Sequence, residues 1–158
     1  MIESSIILIF SAALFFFYWQ VTIQRILRRA FAQAYYRTIV AANRLEFPAL
    51  RKAVLDPSAP VDYARLRMNF RCDFLALTYL LKNASNLRQT LSRDERFLMV
   101  YFRLLFSSLT VRHWLRLEAK PAVLGLAEVL QYFANIVGER VNSVRLDALA
   151  LSPSTLNL

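Results

Sequence analysis

The side chains of types that could do chemistry are few in this sequence. His113 is the only histidine, so multi-histidine metal centres are impossible and a histidine-based triad would rest on this one residue. It could serve as an axial ligand to a haem or a chlorophyll. On a helical projection it lies near Phe102, Phe106 and Leu109, an apolar flank that could carry such a cofactor. The plainer expectation is a histidine at the edge of a helical bundle, its ring bonded to backbone or water. Asp94 and Glu95 are adjacent carboxylates, but Ser92-Arg93-Asp94-Glu95 has the spacing of a capping box, which makes them cap and dipole partners of a helix start. Cys72 stands between Arg71 and Asp73. As the sole cysteine it excludes an internal disulfide and a cysteine metal cluster, and is expected to be a small helix residue. Glu128 is the acid for which partial burial is weighed, but proton handling would need a second buried titratable group, so a polar helix face is expected there.

Nucleotide-binding loops are excluded by composition. Gly125 and Gly138 are the only glycines and lie thirteen residues apart, so neither GxGxxG nor GxxxxGK[ST] can form. No residue pattern specifies catalysis or a metal site. The expectation is a non-enzyme that carries no cofactor.

The elements that would hold these residues follow from the same composition. Two glycines in 158 residues leave the chain without the residue that hairpins and β-bulges rely on, so an all-α architecture is expected. Apolar residues make up 57% and charged ones 20%, a mixture of a lipid-facing part and a water-facing part. The lipid-facing part is readable directly. Between Glu3 and Arg25 lie 21 residues without a formal charge, which as a helix would span about 31 Å, close to the roughly 30 Å of a hydrocarbon core. A cleaved leader is the rival, but Glu3 precedes the run and Gln24-Arg25 follows it, where a leader has a positive start and a small-residue cleavage site.

Residues 1–24 are therefore expected to be a transmembrane anchor. Tyr18 and Trp19 stand at its carboxyl end as an interfacial belt, and Arg25, Arg28, Arg29 and Arg37 follow. The positive-inside bias puts the amino terminus outside and the bulk of the chain in the cytoplasm, on a cell inner or plasma membrane. From Arg25 to Lys52 seven basic residues face Glu46 alone, beside the apolar run. That placement suits anionic lipid headgroups, at about 1 kcal/mol per cation, and not nucleic acid.

Residues 25–150 are expected to form a cytoplasmic antiparallel helical bundle. With no proline or glycine before Pro48, the transmembrane helix is expected to run on through Val21 to Leu45, giving a basic juxtamembrane segment over 25–52 that includes a short helix near Ala49 to Leu55. A turn over Asp56 to Pro60 precedes a helix from about Val61 to Lys82, with Tyr63, Leu66, Phe70, Phe74, Leu77 and Leu81 inward. After a polar linker, a third helix starts at the Ser92 cap. Its Arg112 and Arg116 fall on the apolar side, so that end is expected to project. Pro121 opens a fourth helix to about Leu149, with Glu128, Gln131, Asn135, Glu139 and Asn142 as its polar stripe. The tail 151–158 is expected to be extended. A membrane hairpin of the last two helices would bury Arg103 at about 2.5–3.5 kcal/mol and contains no uncharged run of about 18 residues, which favours the bundle.

The apolar faces are wider than one bundle core requires. Phe102, Phe106, Trp114, Tyr132 and Phe133 are candidate partner-interface residues. The functional expectation is an accessory or assembly subunit of a larger integral membrane complex (respiratory, photosynthetic or transport), whose partners are other membrane subunits and anionic lipid. The alternatives are a membrane-tethered adaptor for a soluble acidic partner and a cofactor-binding subunit using His113.

Overall fold

The computed structural model describes residues 2–31, 33–56, 62–83 and 91–151. Among them are six helices and no strand: α1 (Ile2–Leu27), α2 (Tyr36–Asn43), α3 (Phe47–Leu55), α4 (Tyr63–Asn83), α5 (Arg93–Trp114) and α6 (Lys120–Leu151). The turn expected over 57–60, the linker over 84–90 and the tail beyond Leu151 lie outside the described residues. The chain divides into two compact units, Met1–Phe31 and Ala32–Leu158.

The first unit is α1. Over Glu3–Leu27 its mean hydropathy is 2.1 and only 6% of the span is buried, so this helix is long and apolar enough to cross a membrane. Ile6 to Phe10 and Leu14 to Tyr18 present exposed side chains to their surroundings. The Thr22 hydroxyl donates to the carbonyl of Tyr18 at 2.9 Å, so this polar group is satisfied within the helix.

The continuous helix expected from Val21 to Leu45 is not formed. α1 stops at Leu27 and α2 starts at Tyr36, with a further break before α3. Proline and glycine are not what interrupts it. In the second unit the Tyr36 amide donates to Oδ1 of Asn135 on α6 at 2.8 Å, and the Tyr35 ring hydroxyl accepts from Nδ2 of Asn142 at 3.3 Å. A tertiary partner thus satisfies an amide that an unbroken helix would bond internally. α2 then ends on Arg44 in the left-handed conformation (φ 50°), whose amide and that of Leu45 both return to the carbonyl of Val40.

α6 is the hub of the second unit, packing against α2, α3, α4 and α5. Val123, Leu126, Ala127, Val129, Leu130, Phe133 and Ala134 are fully buried. A helix apolar on nearly all sides must be enclosed on nearly all sides. This bears on the hairpin alternative: Lys120–Ala148 is long and apolar enough to cross a membrane, yet 72% of its apolar 18-residue stretch is buried within the protein. Both glycines lie on α6 and serve close approach. A Cβ at Gly138 would overlap the Cβ of Tyr35 and come within 2.8 Å of its Cγ, so the bare backbone is what lets residue 35 seat there.

α4 buries Leu66, Phe70, Leu77 and Leu81, with Tyr63 and Phe74 half-buried, close to the expected inward face. α5 begins with the capping box read from the sequence: Glu95 N donates to Ser92 Oγ at 3.2 Å and Ser92 N to Glu95 Oε2 at 3.1 Å. Its far end is exposed from His113 to Leu117 as expected, but Arg112 is half-buried and folds back. It donates to Ser108 Oγ and to the carbonyl of Glu118, closing the turn into α6.

Candidate functional site

The candidate residues from the sequence separate in the structure. His113 is exposed, and its ring lies flat on Tyr63, with centroids 3.7 Å apart and planes 3° from parallel. One face of the imidazole is therefore taken by an aromatic side chain from the start of α4. Among the described residues no group of three histidine, cysteine, aspartate or glutamate side chains could hold a metal. Cys72 is exposed on α4. Of the partner-interface candidates, Trp114 is 82% exposed and Phe106 half-buried, whereas Phe102, Tyr132 and Phe133 belong to the core. The three buried rings are spoken for by the bundle itself. The interface candidates Tyr18, Arg25, Arg28, Arg29 and Arg37 are exposed, Trp19 is half-buried, and the Arg29 guanidinium lies 5.5 Å from the Phe31 ring centroid.

Three acids divide into one that is exposed and two that are buried. Glu128 is exposed. Among the described residues the buried carboxylates are Asp73, to which the sequence assigned no role, and Glu95, read there as a cap and dipole partner of a helix start. Asp73 Oδ2 accepts from the amides of Glu46 and Phe47 at 2.9 and 2.7 Å, so a side chain of α4 caps α3, whose own preceding residue supplies no side-chain cap. Burial pushes the Asp73 carboxyl above its ordinary pKa, and the nearby Glu46 charge adds to this, while the two amide bonds oppose it. Glu95 pairs with Arg140 of α6 at 2.5 Å, and the same guanidinium donates to the carbonyl of Leu81 at 3.0 Å. One arginine thereby ties the end of α4 to the start of α5. Each buried carboxylate is thus satisfied, Asp73 by the amides at the start of α3 and Glu95 by Arg140 and the Ser92 amide.

The polar stripe of α6 is likewise mostly a docking strip and not a solvent face. Asn135 is 7% exposed beneath Tyr36, Gln131 accepts from Arg51 of α3 at 3.1 Å, and Asn142 reaches Tyr35. Glu128 keeps an outward position. Its charge adds to the burial that raises the pKa of the Tyr101 phenol.

What the fold brings together, and the sequence did not, is a cleft of about 470 Å³ between α4 and α5. Arg71, Phe74 and Leu75 line it from α4, and Phe102, Arg103, Phe106 and Ser107 from α5. Phe74 and Phe102 are stacked, with centroids 4.1 Å apart and planes 4° from parallel, and Arg67 lies 5.4 Å from the Phe106 ring centroid, in cation–π range. Among the described residues Arg71 and Arg103 make no ion pair or hydrogen bond. The available signal was the spacing of Arg67, Arg71 and Phe74, which share one face of α4 at i, i+4 and i+7. It does not say which helix that face meets.

Around the cleft the helices carry exposed apolar side chains. Met68, Leu75 and Tyr79 recur at intervals of seven and four on α4, and Val100, Leu104 and Val111 at four and seven on α5, all about half exposed or more. Comparison of the chain with protein-family models, with curated proteins and with solved structures finds no match.

Proposed function

We propose that this protein is a non-catalytic, single-pass accessory or assembly subunit of a larger integral membrane complex. α1 crosses the membrane with its amino terminus outside. Tyr18 and Trp19 lie in the inner headgroup layer, Arg25, Arg28, Arg29 and Arg37 hold the orientation, and the bundle stands in the cytoplasm. In this reading α5 runs antiparallel to α4, which the contacts of Tyr63 with His113 and of Phe74 with Phe102 support.

The observation that carries the reading is the apolar surface left over once the core is filled. Leu75, Leu104 and Tyr79 are 57%, 54% and 68% exposed, although α6 already supplies the bundle with a complete core. Exposed large apolar side chains recurring along two helices are what a neighbouring subunit would cover. The test is mild-detergent purification of the full-length protein from its native membrane, followed by mass spectrometry. Membrane proteins are expected in stoichiometric amount, and Leu75→Glu with Leu104→Glu is expected to release them while the variant stays folded and membrane-bound. Extraction of the wild type solely as a free monomer overturns the reading.

A second reading is favoured by the exposed arginines at 25, 28, 29 and 37. In it the protein is a tethered adaptor whose soluble acidic partner binds less tightly as salt rises. Retention of a soluble partner at low salt and its loss at high salt, with no membrane protein co-purifying, selects that reading.

A further inference from the structure

We propose that the α4–α5 cleft is a binding site for a long-chain carboxylate, that is, a fatty-acid-type anion with a single apolar chain. The cleft has the two chemistries such a ligand needs, arranged on facing helices. The half-buried Phe74 and Phe106 rings, with the buried Phe102 stacked behind Phe74, supply an aromatic lining on which an acyl chain loses water. Arg71 from α4 and Arg103 from α5 supply a guanidinium from each wall, and each can bind a carboxylate through two parallel N–H donors.

Charge decides the sign of the ligand. Arg71 and Arg103 are exposed and make no ion pair among the described residues, and Arg67 adds a third cation over the Phe106 ring. The nearest acid in sequence, Asp73, is turned away and spends its oxygen on the amides of α3. Among the described residues no carboxylate lines the cleft, and Ser107 is the one further polar side chain in its wall. A cationic ligand is repelled, and a neutral apolar one leaves the arginines unused. Size decides the class: about 470 Å³ falls within the roughly 300–1,000 Å³ of small-molecule sites. The cleft is that of a small ligand, and not a groove running the length of two helices for a partner helix to fill. The inference does not rest on subunit membership, because the cleft is built entirely from α4 and α5.

The test uses the full-length protein in nanodiscs of phosphatidylcholine and a diazirine-bearing palmitate analogue, with adducts mapped by mass spectrometry. Labelling is expected between residues 71 and 75 and between 102 and 107. Oleate is expected to compete and oleyl alcohol to compete about tenfold less well, the difference being the charge-assisted bonds. Arg71→Gln with Arg103→Gln is expected to reduce labelling about tenfold or more, with helix content and melting temperature unchanged because both side chains are exposed. Equal competition by oleyl alcohol, or undiminished labelling of the folded double variant, overturns the proposal. So does displacement of the probe by phosphatidylglycerol in the disc, or by an acidic amphipathic peptide, where oleate fails to displace it. Should the double variant misfold, the competition between oleate and oleyl alcohol on the wild-type protein decides alone.

Discussion

Gly138 and Gly125 occupy the same helix, yet a methyl group means different things at the two positions. At Gly138 it would overlap the Cβ of Tyr35, an atom fixed to the main chain, so Gly138→Ala is expected to cost about 1–3 kcal/mol by overpacking. At Gly125 it would meet Cδ1 of Leu105 at 2.9 Å, the far end of a side chain that can rotate, and alanine improves helix propensity by about 1 kcal/mol. Gly125→Ala is expected to leave the melting temperature unchanged or raise it; a larger loss there than at Gly138 would contradict the packing described. Asp73 sets a pH dependence. Its folded pKa is raised, so the folded state holds a proton that the unfolded state releases, and stability is greatest below the ordinary aspartate value near 4, falling as pH rises through and above it. Asn at this position keeps an oxygen for the amides of Glu46 and Phe47 and does not ionise. Melting curves at pH 4 and pH 7 are expected to show Asp73→Asn gaining on the wild type at the higher pH, whereas Asp73→Ala loses the cap at both, by about 1 kcal/mol. Neither role was legible in the sequence, where Asp73 is one acid in a basic stretch and Gly138 one glycine in a helix.

At the scale of elements, Arg140 joins three helices through two bonds. It pairs with Glu95, which is also the capping-box acid of α5, and it caps the last turn of α4 at Leu81. Removing the arginine alone strands a buried carboxylate, so Arg140→Met is expected to cost about 3–5 kcal/mol. Arg140→Met with Glu95→Gln is expected to cost less than the two single changes added together, by a coupling of about 0.5–3 kcal/mol measured in a double-mutant cycle. Additive costs would show that the pair is not the link. The capping box itself was legible because it is local: a serine and a glutamate three residues apart determine each other's partners wherever the helix goes. The second life of Glu95 was not, since Arg140 lies 45 residues away. The same distinction explains the missing helix between Leu27 and Tyr36. Local propensity permits a helix there, and what breaks it is the seating of residues 35 and 36 on Gly138, Asn135 and Asn142.

For the whole molecule, orientation in the membrane is the property most exposed to test. The proposed topology rests on Arg25, Arg28 and Arg29 following the apolar run, so replacing all three with glutamate is expected to reduce or invert insertion with the amino terminus outside. Protease protection of tags at the two ends in sealed vesicles reads this directly, and an unchanged pattern would show that other parts of the chain set the orientation. The sequence by itself determined the helical class, through the scarcity of glycine, and the apolar helix α1, through an unbroken uncharged run. It also determined the approximate limits of α4, α5 and α6, through their 3.6-residue periodicity, the Ser92 cap and Pro121. Each of these is a property of neighbouring residues. Only the tertiary structure decided that the polar stripe of α6 receives α2 and α3, that Asp73 and Glu95 are buried while Glu128 is not, and that Arg71 and Arg103 line one cleft. Those depend on which face of one helix meets which face of another. The periodicity of a single helix fixes the faces, but the pairing is chosen by the summed packing of all of them.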